Sequence, residues 1–86
     1  MDIIAGISDT TLKNLSDRSI ERRKQAAMEL QGIIEELIAK KKEVEIKKKI
    51  EGFTLFTEDD NAQRRKTGLY GLSVISVALY QKKSAE

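Results

Sequence analysis

Apolar residues recur at three- and four-residue intervals along most of this 86-residue chain, and strand-like alternation is hard to find anywhere. That spacing keeps one side of a helix apolar, so the pattern predicts helices. A short first helix is expected from about Asp9 to Leu15, N-capped by Ser8, with Leu12 and Leu15 on one face. A longer second helix starts after Asp17 or Ser19, either of which can cap it, and continues to about Lys41. Its stripe is Ile20, Ala27, Leu30, Ile34 and Leu37, widened by Ala26, Ile33 and Ile38. A third helix spans Glu43 to about Thr57 with Ile46, Ile50, Phe53 and Phe56 inward, and Gly52 weakens it by about 1 kcal/mol relative to alanine. The loop Glu58-Asp59-Asp60-Asn61 places acidic residues at the positive end of a fourth helix, which runs from about Asn61 to Lys82 or Lys83 and closes on lysines.

The pattern repeats. Arg22-Arg23-Lys24 recurs 42 residues later as Arg64-Arg65-Lys66, and the same shift places Ser19 on Asn61, Ala26 on Gly68, Leu30 on Leu72, Ile33 on Ile75 and Leu37 on Leu79. A period near 40 residues is that of HEAT and armadillo units. The expected fold is all-α: two antiparallel helical hairpins of that type, the first over about 8–41 and the second over about 43–83, forming one module at the start of an α-solenoid. The first and third helices align poorly under the shift, so the repeat rests on the second and fourth.

From Thr67 to Tyr80 the fourth helix is apolar or small on nearly every side, whereas a helix at the edge of a domain keeps a polar face. A repeat contacts its neighbours, and an unpaired end exposes a face meant for the next one. Leu69, Leu72, Ile75, Val77, Leu79 and Tyr80 are therefore the expected stacking face, and the chain reads as the N-terminal fragment of a longer solenoid that self-associates when isolated. Gly68 and Gly71 on the same helix mark a close helix crossing.

Composition narrows the chemistry. The chain has no cysteine and no histidine, which removes thiolate and imidazole metal ligands and the side chain best suited to proton transfer near neutral pH. A serine or threonine nucleophile would need lysine or a terminal amine as its base, and nothing points to that arrangement. No catalytic, cofactor-binding or metal-binding residue is expected. The N-terminus lacks a basic segment followed by an apolar run, so a cytoplasmic location is expected. The nearly apolar stretch from Gly68 to Tyr80, about 13 residues, falls short of the roughly 20 that cross a bilayer.

Sixteen Lys and Arg stand against fourteen Asp and Glu, a net charge of +2. Four basic clusters, Arg22-Arg23-Lys24, Lys40-Lys41-Lys42, Lys47-Lys48-Lys49 and Arg64-Arg65-Lys66, would bind anionic membrane or nucleic acid if several shared a face. The favoured reading is a solvated set of helix ends and faces partly paired with glutamates, since no aromatic residues interleave for base stacking. Consecutive charges on a helix point in different directions, so one member of each Arg-Arg-Lys triplet faces other protein. Arg23 and Arg65 lie six residues beyond Asp17 and Asp59, and a structural salt bridge to those loops is expected. Glu58-Asp59-Asp60 lacks the ligand pattern of a calcium loop.

Taken together, Leu12-x-x-Leu15-Ser16-Asp17-Arg18, then Glu21-Arg22-Arg23-Lys24-Gln25-Ala26-Ala27-Met28-Glu29-Leu30, and later Arg65-Lys66-Thr67-Gly68-Leu69-Tyr70-Gly71-Leu72 with Val77-Ala78-Leu79, resemble the N-terminal start of the vacuole-morphology HEAT-repeat scaffolds, the ArPIKfyve family. Ser73 and Ser76 stand where that family tends to have alanine. The resemblance implies a non-catalytic scaffold that assembles, on vacuolar or endosomal membranes, the PIKfyve or Fab kinase making phosphatidylinositol 3,5-bisphosphate and the opposing phosphatase. It implies protein partners, with the kinase contact in N-terminal repeats and the phosphatase contact and self-assembly further along. Arg22, Arg23, Lys24, Arg64, Arg65 and Lys66 are the recognisable polar positions, with structural or partner-contacting roles. A free-standing helical adaptor binding membrane or nucleic acid through the basic clusters is the alternative.

Overall fold

The computed structural model describes residues 4–85, and side chains as far as Lys82. Four helices follow one another: α1 (Asp9–Asn14), α2 (Ile20–Ala39), α3 (Glu43–Thr57) and α4 (Ala62–Ala85). The fold is all-α, and the described residues form no strand.

Local chemistry sets the boundaries. The Ser8 hydroxyl oxygen accepts from the Thr11 backbone N–H at 3.1 Å and starts α1, and Ser19 caps α2 through the Arg22 N–H at 3.4 Å. The α2–α3 corner turns on Lys41, whose φ of 57° is left-handed. That conformation costs a non-glycine residue about 1–2 kcal/mol. The Lys42 N–H bonds back to the Leu37 carbonyl at 2.9 Å across this corner. Helix α4 continues past Lys82 and Lys83, the end expected from its charges, to Ala85, because no glycine or proline follows Gly71 to stop it.

The α2 stripe buries Ala26, Leu30 and Ile34 against Leu12, Leu15, Phe53, Ile75 and Ala78, with Ile33, Leu37 and Ile38 packed around them. Ile20, assigned to the stripe by spacing, is exposed, since it occupies the first helical position, ahead of the first buried α2 residue, Ala26. On α3, Ile46 and Phe53 are buried, while Ile50 and Phe56 are half-buried at the edge of the core.

Helices α3 and α4 run antiparallel and very close. A Cβ built on Gly68 would lie 2.6 Å from the Phe53 carbonyl oxygen and 2.8 Å from the Thr57 nitrogen; one on Gly71 would run into the Phe53 ring, 2.7 Å from its Cγ. The glycines do mark a helix crossing, and α3 supplies the surface that needs them.

Lys49 departs from its expected place among solvated lysines: only 3% of it is exposed. It falls three residues after Ile46 and four before Phe53, on the inward side of α3, with its ammonium close to Gly6. The aliphatic stem of a lysine packs readily along apolar surface, which makes that position tolerable.

Candidate functional site

The most regular polar feature of the chain occurs twice. Before α2, the Ser19 backbone N–H donates to Asp17 Oδ1 at 2.8 Å; before α4, the Asn61 N–H donates to Asp59 Oδ1 at 2.8 Å. Arg23 Nη1 donates to the carbonyl oxygens of Asp17 and Arg18, at 2.7 and 3.3 Å, and Arg65 Nη1 to those of Asp59 and Asp60, both at 2.9 Å. Arg22 and Arg64 pair with the carboxylates of Asp17 and Asp59 at 3.6 and 3.2 Å. Arg23 and Arg65 thus make hydrogen bonds to carbonyl oxygens in place of the expected salt bridges, and the preceding arginine of each triplet pairs with the aspartate side chain. Asn61 also caps α4, accepting from the Gln63 and Arg64 N–H groups at 2.9 and 3.1 Å.

These contacts hold the Asp17 carboxyl below its ordinary range, first through the Ser19 N–H and then through Arg22 and Arg23. Asp59 is lowered in the same way by the Asn61 N–H and then by Arg64 and Arg65. A lowered folded-state pKa adds stability that is present above the unfolded value of about 3.9 and is lost as pH falls through the folded value. Acid unfolding followed by circular dichroism is expected to begin only below about pH 4. The variant carrying Asp17→Asn and Asp59→Asn, which keeps an oxygen for each N–H, is expected to show a flatter loss of stability there; an unchanged acid limb would rule out these turns as its source.

Several residues of the basic clusters are engaged within the fold. Lys40 pairs with Glu36 at 2.9 Å, Lys48 with Glu45 at 4.0 Å, Lys49 is buried, and Arg23 and Arg65 serve the two turns. Lys24 and Lys66 are exposed.

On α4 the expected stacking residues divide. Leu69, Val77 and Tyr80 are 59, 51 and 72% exposed and share one outer face with Tyr70, Ser73 and Ser76. Leu79 flanks that face at 37%. Ile75 is turned into the core at 1%, and Leu72 is half-buried against it. The opposite side of α4 meets α2 near its C-terminal end: Glu35, Ile38 and Ala39 line a cleft with Ala78, Gln81 and Lys82, and Gln31 donates to Gln81 at 3.2 Å.

A polar knot that sequence pattern does not reveal joins the two hairpins. The Ser16 and Thr67 hydroxyls bond at 2.8 Å, both residues being buried, and Gln63 Nε2 donates to the Ser16 carbonyl and hydroxyl oxygens. Thr67 also reaches the Gln63 carbonyl at 3.1 Å. The one signal in the sequence is a threonine directly before Gly68 on the apolar helix.

No family model matches the chain, and neither does any solved structure. Over 79 residues it is 37% identical to Protein VAC14 homolog of Arabidopsis thaliana, a match that takes in 91% of this chain and 11% of that protein. The chain therefore spans about a ninth of the relative's length. By sequence, this four-helix chain is similar to a short segment of a VAC14 homologue.

Proposed function

We propose that this chain is a non-catalytic scaffold segment that works by packing its outer α4 face against a further helical hairpin. The observation that carries the reading is a correspondence between the two long helices. Gln31, Glu35, Ile38 and Ala39 are α2 residues beside α4; 42 positions on from the first three stand Ser73, Val77 and Tyr80, all exposed on the outer face of α4, while Ala39 corresponds to Gln81, which itself faces α2. Three of the four positions by which α2 receives its neighbour there are thus positions α4 leaves open, which is the relation expected inside a helical-repeat array. The two hairpins are then the repeats at about 8–41 and 43–83, and the outer face awaits the chain's own downstream repeats. The likeness to a VAC14 homologue supports the scaffold class. In the finer reading, the scaffold organises the kinase complex making phosphatidylinositol 3,5-bisphosphate, together with the opposing phosphatase, as the family resemblance implies. Among the described residues no helix is long and apolar enough to cross a membrane. Attachment to vacuolar or endosomal membranes would then come through the assembled complex.

Sedimentation tests the packing claim. The isolated chain is expected to self-associate at high concentration, and Val77→Asp with Tyr80→Asp is expected to return it to monomer with its helical signal intact. A wild-type chain that stays monomeric would overturn the stacking face. With the chain as bait, recovery of a phosphoinositide kinase that the double variant loses supports the finer role; recovery of none, with self-association intact, removes it.

A further inference from the structure

A groove of about 870 Å³ opens where the α1–α2 turn meets the first turns of α4; its α4 lining, Gln63, Arg64 and Thr67, includes none of the outer-face residues. Four cations line it, Lys13, Arg18, Arg22 and Arg64, against two carboxylates, Asp9 and Asp17. Arg22 already pairs with Asp17 and Arg64 with Asp59, which leaves Lys13 and Arg18 against Asp9. The wall is therefore positive on balance although the whole chain is close to neutral.

The floor has a different character. It is formed by buried Leu12, the half-buried Phe56 and buried Thr67. The polar groups beneath it are spent on one another in the Ser16–Gln63–Thr67 knot. Among the described residues, the side chains of Lys13, Asn14 and Arg18 make no hydrogen bond or ion pair with other protein. A ligand thus finds an apolar strip below and unused cationic and amide donors at the rim.

We infer that this groove docks an extended acidic peptide segment of a partner protein, with an apolar side chain on Leu12 and Phe56, its carboxylates on Lys13 and Arg18, and a backbone group on Asn14. Charge complementarity of this kind steers the encounter and fixes register, while the apolar contact supplies much of the affinity. A peptide suits the groove better than a polyanion with evenly spaced phosphates, because Asp9 repels an unbroken row of negative charge. A nucleic acid would also look for stacking rings, and Phe56, half-buried, is the only aromatic residue lining the groove among the described residues.

Phage-displayed random peptides selected on the whole chain, followed by fluorescence anisotropy of the enriched sequence, test the inference. The expected result is enrichment of peptides with several Asp or Glu flanking a Leu or Phe, binding that weakens with salt, and amide shifts centred on Lys13, Asn14 and Arg18. Lys13→Glu with Arg18→Glu, both exposed positions, is expected to weaken binding by about tenfold or more with an unchanged circular dichroism spectrum. Arg18→Gln should fall between. Selection without acidic enrichment, shifts outside the groove, affinity insensitive to the charge reversal, or equal binding of a single-stranded oligonucleotide or anionic-lipid vesicles would each overturn the proposal. Because the groove lies apart from the outer face of α4, Val77→Asp with Tyr80→Asp is expected to leave peptide binding unchanged.

Discussion

Phe53→Ala is expected to cost about 3–5 kcal/mol, the usual penalty for emptying a fully buried phenylalanine site. The side chain is 0% exposed at the centre of the core and meets Phe56 edge to face, with ring centroids 6.3 Å apart. A chain of this size has a total stability of about 4–13 kcal/mol. The variant therefore loses a large fraction of its stability, and in urea its unfolding midpoint is expected to collapse toward zero denaturant. An unfolding free energy within about 1 kcal/mol of the parent's would mean that the α3–α4 contact is not the centre of the fold.

Gly71→Ala is expected to destabilise by about 1–3 kcal/mol from overpacking, although alanine is better than glycine in a helix by about 0.8–1 kcal/mol. Steric crowding decides the sign, since the new methyl would sit 2.7 Å from Phe53 Cγ and closer still to two other ring carbons. Gly32 provides the contrast. It lies within α2, and a methyl added there would meet nothing within 4 Å, so Gly32→Ala should show the propensity gain alone. A sharper test combines the two core sites. In a Phe53→Ala background, held folded with osmolyte if necessary, Gly71→Ala is expected to become neutral or stabilising, because its obstacle has gone. Gly68→Ala should keep its cost there, since its methyl meets backbone atoms of α3 rather than a removable ring. If Gly71→Ala behaves alike in both backgrounds, the ring contact is not what limits that position.

Much of the fold is legible in the sequence because helical periodicity and capping residues are local signals. The third helix is expected over Glu43 to Thr57 and is found there, and Ser8 caps α1 as its position implies. The poor alignment of the first and third helices also has a physical reason: the 42-residue shift places the 6 residues of α1 on 51–56 of the 15-residue α3, so most of α3 has no counterpart. What escapes is information carried by neighbours in space. A run of three lysines does not say that the third lies on the inward side of its helix. Nor does Ser16 show that its hydroxyl will find Thr67, 51 residues away. The turns lie between these cases. Spacing locates the arginines beside the aspartates, but only geometry decides which of each pair takes the carboxylate and which takes the carbonyl oxygens.

The twin turns have a consequence for how such a chain can vary. In each, a segment from aspartate to second arginine, 17–23 or 59–65, closes its own hydrogen bonds and fixes the heading of the long helix that follows. The joint is self-contained. Outer helices can lengthen or shorten, as α1 and α3 already do, without re-aiming their inner partners. Exchanging one seven-residue joint for the other should leave the architecture standing, so copies of this unit can be gained or lost without redesigning the rest.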